Sequence, residues 1–421
     1  MPTLPPSIMC FNNAQNTSQS TIPTPQEIAS GWRTDHGFVW LDSSSQESQG
    51  LSILGRDPDL ILSGSAHEWH RIAEELDHRK RASRAVALQD GAAIGYFRFD
   101  GSFRFGFYDS LLLHSPDGWI GDPGTPIRPP CDGKTESPPP LRFSAEMECL
   151  EYVRLVIRAQ EYVASGDIYQ VCLAHRFTAE YEDDPWPLYL ALRAASPSPH
   201  AAYLDLGEET VLSSSPECFL KMSGQKILTR PIKGTRPRMQ SQGEDARQEF
   251  ELKTSPKEIA ELVMITDLER NDLGRVCEYG SVTATQLLHL ERYAQVFHLV
   301  STVEGNLREG VSHVEALAAC FPGGSISGAP KKRALEIIHE LEATPRGLFT
   351  GAIGYFGYNG ESQFNIAIRT IVINQESDGK GVAAFHVGAG ITADSIPEKE
   401  WEETLHKAAG ILQAARGGKI S

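Results

Sequence analysis

The chain has few cysteines, no long apolar run and no excess of positive charge. Its seven cysteines among 421 residues form no CxxC pair, so no zinc ribbon, redox dithiol or disulfide scaffold is predicted. Lysine and arginine total 39 against 55 aspartate and glutamate, a net charge of −16. This balance argues against binding to nucleic acid or anionic membranes. No apolar stretch approaches the roughly 20 residues of a membrane-spanning helix.

Several common active-site fingerprints are also missing. Residues 323–331 resemble a phosphate-binding P-loop, but Ala329 and Pro330 stand where that loop requires Lys and Ser or Thr. The histidines at the two ends of 67–70 lack the spacing of a zinc protease, and no GxSxG or dinucleotide-binding motif occurs. Residues 1–6 lack the basic start of a secretory signal, so we expect a cytoplasmic protein.

Composition divides the chain into four parts. Residues 1–30 are rich in Ser, Thr, Asn, Gln and Pro and carry almost no charge, which predicts a mobile tail. Residues 31–120 mix strand-like and helix-like segments and form an N-terminal α+β region. The proline-rich stretch 121–140 predicts a linker or surface loop. Residues 145–415 form the larger region, expected to be one structural unit with the N-terminal region.

Hydrophobic spacing predicts helices and strands without a regular alternation of the two. Helices are predicted at 66–80, 145–165, 186–194, 256–271, 311–320, 330–342 and 398–413. Strands are predicted within 37–57, 92–113, 168–173 and 201–236. The Asn-Gly pair at 359–360 predicts a hairpin over 355–373. This mixture, with no internal repeat, favours a single α+β unit over a doubly wound sheet.

Two predicted helices open with similar sequences. One begins with Ser255 and has Glu258 three residues later, and the other begins with Ser395 and has Glu398. Each has a proline in its first turn, which fits a capped helix start. We therefore expect Glu398 to serve in the cap, whereas for Glu258 capping competes with a chemical role.

The same helices bring pairs of glutamates to one face. Glu258 and Glu261 are three residues apart, as are Glu400 and Glu403, and residues at that spacing are neighbours on a helix. If the two faces meet, their carboxylates suit Mg²⁺, a hard cation that prefers oxygen ligands. Spacing alone favours the alternative, ordinary solvated glutamates.

Three further side chains are candidates for chemistry. Lys233 lies between Pro231 and Gly234, where a lysine held near a cation could act as a nucleophile, although an exposed turn lysine is the commoner case. Glu217 could be a general acid or one half of an ion pair. Arg369 interrupts an apolar strand, so it needs a partner such as a protein or substrate carboxylate.

Several of these residues, Lys233 and Arg369 among them, lie in segments that resemble the chorismate-utilising enzymes. This family includes the large subunits of anthranilate and aminodeoxychorismate synthases and the isochorismate and salicylate synthases. The matching segments are 231–238, 267–275, 298–301, 321–331, 351–355, 366–370, 388–391 and 397–404. They follow one another in order over about residues 145–415, which the resemblance makes a chorismate-binding catalytic domain. The family fold implies two large antiparallel sheets packed face to face with helices outside.

The residue after Pro-Ile distinguishes activities within this family. The resemblance implies that Lys233 is the nucleophilic lysine of the aminodeoxychorismate synthases, where anthranilate synthases carry alanine. Gln170 stands where the water-using relatives have a lysine, which disfavours hydration of chorismate. The implied reaction is amination of chorismate to 4-amino-4-deoxychorismate for p-aminobenzoate and folate synthesis. The alternatives are anthranilate synthesis and a catalytically silent, chorismate-binding regulatory subunit.

The resemblance also implies a role for each matching residue. Lys233 and Glu217 are the expected nucleophile and acid. Mg²⁺ is expected on Glu261 and Glu403, with Glu258 and Glu400 holding its waters. The residues expected to bind chorismate are Arg369, Ser325, His298, Gly388, Gly390, Lys407 and Gln170. Ammonia is expected from a separate glutamine amidotransferase subunit, because no such module is encoded in this chain.

Overall fold

The computed structural model describes residues 22–44, 50–83, 85–121, 140–293, 296–375 and 381–416. Within these ranges it contains nine α-helices, three short 3₁₀ helices and twenty-one strands. The helices are α1 (Pro25–Trp32), α2 (Trp69–Ser83), α3 (Cys149–Ala164), α4 (Pro185–Ala195), α5 (Gln242–Thr254), α6 (Pro256–Gly274), α7 (His313–Cys320), α8 (Lys331–Leu341) and α9 (Pro397–Ala415), with 3₁₀ turns at Ala66–Glu68, Leu88–Asp90 and Gly324–Ile326.

The strands vary from two to twelve residues in length. They are β1 (Val39–Asp42), β2 (Ser52–Gly55), β3 (Leu60–Gly64), β4 (Ala92–Phe97), β5 (Phe103–Tyr108), β6 (Leu112–Ser115), β7 (Gly118–Ile120), β8 (Ser144–Ala145), β9 (Gln170–Tyr181), β10 (His200–Asp205), β11 (Glu209–Ser215), β12 (Cys218–Ser223), β13 (Lys226–Arg230), β14 (Ile232–Pro237), β15 (Thr283–Arg292), β16 (Val296–Asn306), β17 (Gly328–Ala329), β18 (Ala352–Gly357), β19 (Glu361–Ile366), β20 (Thr370–Gln375) and β21 (Gly381–Ile391).

These strands form two antiparallel sheets. The first has eleven strands in the order β17-β9-β21-β20-β11-β10-β1-β2-β6-β7, with β8 also beside β9. The second has ten in the order β14-β16-β13-β12-β19-β18-β4-β5-β3, with β15 also beside β16. Strands from before and after residues 122–139 pair in both sheets, as β1 does with β10 and β4 with β18.

An apolar cluster fills the space between the sheets. It joins Val39 and Val211 of the first sheet to Ile94 and Ile353 of the second. Two other clusters pack the outer faces against helices, the second sheet against α2 and α7 and the first against α1, α4 and α9. The predicted α+β fold, with two large antiparallel sheets face to face and helices outside, is confirmed.

The predicted helices are present with small shifts at their ends. Strands also lie where none was predicted, among them β3, β15, β16 and β21, and four further details differ. The tail was predicted to run to residue 30, whereas α1 begins at Pro25 and is capped by the Thr24 side chain; residues 1–21 lie outside the described part of the chain, as do 122–139 of the predicted linker. The hairpin at 359–360 ends its second arm at Ile366, because the chain then crosses to the first sheet as β20.

The other two differences concern helices α5 and α9. Helix α5 was not predicted, because Leu252 is its single buried residue and its sequence lacks an apolar stripe. Ser255 caps α6 as expected, its hydroxyl accepting from the Glu258 amide at 3.4 Å. The predicted cap of α9 by Ser395 is wrong: the N-cap is Ile396, and the Ser395 hydroxyl accepts from the Thr392 amide instead. In the residues described, we find no helix long and apolar enough to cross a membrane.

Candidate active site

Lys233 lies on β14, at the edge of the second sheet. Its ammonium donates a hydrogen bond to the Ser325 carbonyl oxygen at 3.2 Å. The pairing of β14 with β16 shifts register between Lys233 and Thr235, and Gly234 between them has φ +76°. A Cβ at Gly234 would lie 2.7 Å from Leu252 Cδ1, so only glycine fits this bend without strain. The Pro-Ile-Lys-Gly segment thus places the lysine beside the Ser325 turn.

Glu217 lies in the short link between β11 and β12 and is buried. Burial raises the pKa of its carboxyl, and the Ser325 hydroxyl and the Lys233 ammonium partly oppose that shift. A carboxylic acid that keeps its proton near neutral pH can protonate a leaving group. The structure therefore brings a potential nucleophile and a potential acid to the same Ser325 turn.

The two predicted glutamate faces come together at the N-terminal parts of α6 and α9. Burial raises the pKa of Glu261, a shift that Lys233 and Lys257 oppose. Burial would also raise the pKa of Glu403, but Lys407 and Lys257 lower it below its usual value. The charge of Lys233 lowers the pKa of both Glu261 and Glu403. The two glutamate faces therefore lie near this lysine and not on a remote surface.

Two lysines contact these glutamates. Lys407 Nζ lies 2.8 Å from Glu403 Oε1, and Lys257 Nζ lies 3.4 Å from Glu400 Oε1. Glu258 is placed differently: its carboxylate lies 3.5 Å from the Arg236 guanidinium and lines the space above Gly234. Across the described ranges, no three acidic, His or Cys side chains converge into a ready-made metal site.

The donor chemistry of this cluster nevertheless fits Mg²⁺. All four predicted ligands are carboxylates, the groups that this ion prefers. Glu261 Oε1 and Glu400 Oε2 are buried and accept no hydrogen bond from any residue that the structure describes. Buried polar atoms without partners are uncommon in native proteins and indicate a missing ion or ligand. A metal here would bind where the carboxylates now face lysines.

Arg369 lies at the crossing between the sheets, immediately before β20, in a left-handed conformation with φ +50°. Burial lowers the pKa of its guanidinium, and no hydrogen bond or ion pair to that group exists among the described residues. It lines a cavity of about 180 Å³ together with Lys407 and His406. Because a half-buried cation without a partner is costly, the site favours an anionic ligand.

The remaining predicted residues surround the same region. His298 on β16 is buried and shares a 2.9 Å hydrogen bond with the Thr235 hydroxyl. Burial and the charge of Arg369 lower the pKa of His298 to about 4, so its ring is neutral at neutral pH. The buried Ser325 hydroxyl lies beside the Glu217 carboxyl, whose pKa it lowers, but it makes no hydrogen bond of ordinary geometry within the described chain. It is therefore placed to bind a ligand next to Glu217.

The two predicted glycines lie on β21 opposite the start of β9. A Cβ at Gly390 would lie 2.4 Å from Gln170 Nε2, and one at Gly388 would lie 2.7 Å from the Leu173 carbonyl oxygen. Gly388 therefore needs glycine because the backbone of β9 lies too close for a Cβ, whereas a side chain at Gly390 would require Gln170 to move. Gly388 also meets the site directly, because Lys407 Nζ donates to its carbonyl oxygen at 2.8 Å.

One buried acid at this site was not predicted. Glu269 of α6 accepts a 2.6 Å hydrogen bond from the Thr229 hydroxyl, and burial, aided by the charge of Glu217, raises its pKa to about 8. Its sequence position could have revealed it, since it follows the buried Leu262 and Ile265 by seven and four residues on one helix face. Glu269 is thus a second buried carboxyl with a raised pKa near Glu217.

A larger cavity, of about 670 Å³, lies elsewhere between the two sheets. Its lining includes Asp42 and His200 from the first sheet and Cys218 and Asn365 from the second. None of the predicted site residues lines it. The predicted chemistry is therefore concentrated around Lys233 and not in this cavity.

Comparison with known proteins agrees with the resemblance in the sequence. The family model described as chorismate binding enzyme matches residues 36–413. Anthranilate synthase component 1 from Synechocystis is 47% identical over 281 residues, 66% of this chain and 55% of that protein. Aminodeoxychorismate synthase component 1 from Bacillus subtilis is 44% identical over 263 residues, 62% of this chain and 55% of that protein. The chain spans about half the length of the curated relatives it matches.

Solved structures share the fold over most of the chain. Anthranilate synthase component I from Streptococcus pneumoniae superposes with a TM-score of 0.71 at 27% identity, covering 87% of this chain and 93% of that one. The menaquinone-specific isochorismate synthase from Escherichia coli gives the same TM-score at 17% identity, covering 93% and 91%, which concerns the fold alone. With the family model matching most of its length, the chain belongs to the chorismate-binding enzyme family, with an anthranilate synthase component I-like fold.

Proposed function

We propose that this protein aminates chorismate at C4, as an aminodeoxychorismate synthase component I does. The observation that carries the proposal is Lys233, an amine hydrogen-bonded at the Ser325 turn and facing the buried carboxyl of Glu217. An amine at this position can capture the substrate covalently, whereas the alanine of anthranilate synthases cannot. The Bacillus subtilis relative carries the aminodeoxychorismate synthase name.

Chorismate is a dianion, and the site offers matching groups. The unpaired Arg369 would hold the enolpyruvyl carboxylate as a bidentate pair, with Lys407 adding positive charge in the same cavity. Glu261 and Glu403 would hold Mg²⁺, with Glu258 and Glu400 binding its waters, and the ion would act as a Lewis acid that binds the ring carboxylate. The neutral His298 and the Ser325 hydroxyl would donate or accept hydrogen bonds.

Lys233 and Glu217 would then carry out two displacement steps, the first by the lysine and the second by ammonia. Neutral Lys233 attacks C2 of chorismate, the ring double bond shifts, and the C4 hydroxyl leaves as water with a proton from Glu217. Ammonia then attacks C4, the double bond shifts back, and the C2–nitrogen bond breaks to release Lys233. When the C2–nitrogen bond breaks, its electron pair stays with Lys233, which leaves as the free amine. The one proton that ammonia loses on becoming the product amine returns to Glu217, so 4-amino-4-deoxychorismate and water form without loss of pyruvate.

Ammonia would come from a separate glutamine amidotransferase, as for other large subunits of this kind. Mixing the two proteins with chorismate before gel filtration tests this partner. Co-elution supports the complex, and separate elution at micromolar concentrations contradicts it.

The reaction itself is tested by mass spectrometry of products from the pure protein with chorismate, Mg²⁺ and ammonium at mildly alkaline pH. We expect 4-amino-4-deoxychorismate and no pyruvate. Anthranilate with pyruvate would instead support the alternative favoured by the names of most relatives, anthranilate synthase component I. Chorismate binding with no turnover, even after the amidotransferase is added, would identify a silent regulatory subunit.

A further inference from the structure

The carboxylate cluster already contains a cation supplied by the protein. Lys257, in the first turn of α6, places its ammonium 3.4 Å from Glu400 Oε1 and 3.9 Å from Glu261 Oε1. The negative charge of Glu403 also raises the pKa of Lys257. A single lysine therefore faces three of the four carboxylates to which we assign Mg²⁺.

The contacts of this lysine with the glutamates are long, and about half of its side chain is exposed to solvent. The side chain of Lys257 is 48% exposed, whereas those of Glu400 and Glu261 are 3% and 13% exposed. An ammonium has three donors, yet Glu261 Oε1 and the buried Glu400 Oε2 remain without a hydrogen bond within the described chain. The lysine donates to Glu400 Oε1 and balances the charge of the cluster, but it leaves these two oxygens without a hydrogen bond.

We propose that Lys257 is the resident counter-ion of this cluster, which a divalent cation displaces when it binds. The inference rests on the proposed function, because it takes the glutamates as the Mg²⁺ site. Two cations cannot share the same oxygens, since repulsion at a few ångströms is strong in a partly buried site. The exposed stem of Lys257 lets its ammonium move into solvent as the metal enters.

This arrangement couples metal affinity to protein stability. Without metal, the ammonium offsets the charge of Glu400, whose removal from water would otherwise be costly. When the metal is bound, the displaced lysine no longer stabilises the protein. The free energy needed to displace it has weakened the binding of Mg²⁺. Removing the charge of Lys257 should therefore destabilise the metal-free protein and tighten the binding of Mg²⁺.

The test compares wild type with Lys257→Met by calorimetric titration of Mg²⁺ and by thermal unfolding in chelator and in saturating Mg²⁺. We expect the Mg²⁺ dissociation constant to fall about fivefold or more, the lower range of a typical coupling between sites. We also expect a lower Tm than wild type in chelator and an equal Tm in Mg²⁺. Lys253→Met is the matched control, because Lys253 pairs with Glu249 on α5, away from the cluster.

The outcomes separate this inference from the proposed function. If wild type binds Mg²⁺ and Lys257→Met binds it equally or more weakly, the counter-ion role is wrong while the metal site stands. If wild type binds no Mg²⁺, both the metal site and the counter-ion role fail. Should Lys257→Met not fold, Lys257→Gln keeps a polar side chain with an uncharged hydrogen-bond donor, and it must show the same gain in affinity.

Discussion

The aromatic core under the second sheet and the site around Lys233 differ in how their buried groups are contacted by the rest of the protein. In the core, Phe97 is fully buried and its ring centre lies 4.1 Å from Trp69 and 4.9 Å from Phe105. At the site, buried polar groups such as the Ser325 hydroxyl and Glu261 Oε1 make no hydrogen bond of ordinary geometry within the described chain. The rings of the core are packed by other side chains of the protein, whereas we expect the polar groups of the site to be satisfied by what binds there.

This difference predicts which substitutions alter stability and which alter activity. Replacing a ring in the core creates a cavity and costs stability. Replacing a side chain that would contact a ligand should lower the turnover rate and leave the stability of the folded state nearly unchanged. The substitutions below test that division, from the largest expected effect to the smallest.

Lys233→Ala should produce the largest change. We expect the rate of C4 amination to fall by at least about 10⁴-fold, the scale on which loss of an enzymatic nucleophile acts. The variant should keep its Tm and its binding of chorismate, measured by calorimetry. Lys226→Ala on β13, the preceding strand in the chain, is the control, since Lys226 is exposed. Normal turnover by Lys233→Ala would exclude the covalent route.

Phe97→Ala should affect stability instead. We expect a loss of about 3 to 5 kcal/mol in the free energy of unfolding, typical of a deleted core aromatic ring. Urea unfolding followed by fluorescence measures it. Phe250→Ala on α5 is the control, because that ring is 66% exposed and its loss should cost less than about 0.5 kcal/mol. A similar cost for both variants would contradict the distinction between core and surface.

Glu217→Gln should reduce amination by about a hundredfold or more, the usual contribution of a general acid. The amide keeps the shape of the side chain but cannot give a proton to the leaving hydroxyl. Because burial raises the pKa of Glu217, wild-type activity should decline as the pH rises through that value. The variant should lack this decline, and a retained decline would assign it to another group.

Glu269→Gln should have the smallest effect, visible as a change in pH dependence. The folded-state pKa of Glu269, about 8, is above the ordinary value of 4.5, so the native state holds a proton that the unfolded chain releases. Its contribution to stability is present at low pH and is lost as the pH rises toward 8. Melting temperatures at pH 5 and pH 8.5 should therefore differ less in the variant. An unchanged difference would mean that Glu269 is ionised throughout.

The sequence predicted the elements of the fold well where local patterns decide structure. Ser255 and Pro256 mark the start of α6, and the Asn-Gly pair marks the turn between β18 and β19. Local patterns failed where tertiary contacts decide: the hairpin ends at Ile366 because β20 pairs with β11 of the other sheet. Ser395 resembles a cap, yet its hydroxyl bonds to the preceding turn.

The sequence supplied candidate residues for the site but not their contacts. The motif segments contain Lys233 and Arg369, and the resemblance assigned a role to Glu217, although no local pattern shows that Lys233 and Glu217 meet at the Ser325 turn. Glu269 was missed because a glutamate inside a helix is usually solvated. The position of Lys257 among the carboxylates depends on how α6 meets α9, which only the three-dimensional structure provides.

The most direct test of the central claim is intact-protein mass spectrometry of wild type mixed with chorismate and Mg²⁺ in the absence of ammonia. Our account predicts an adduct with the mass of chorismate less water, located at Lys233 by peptide mapping and lost when ammonium is added. The amination of chorismate at full rate, with no adduct at Lys233 under any of these conditions, would contradict it.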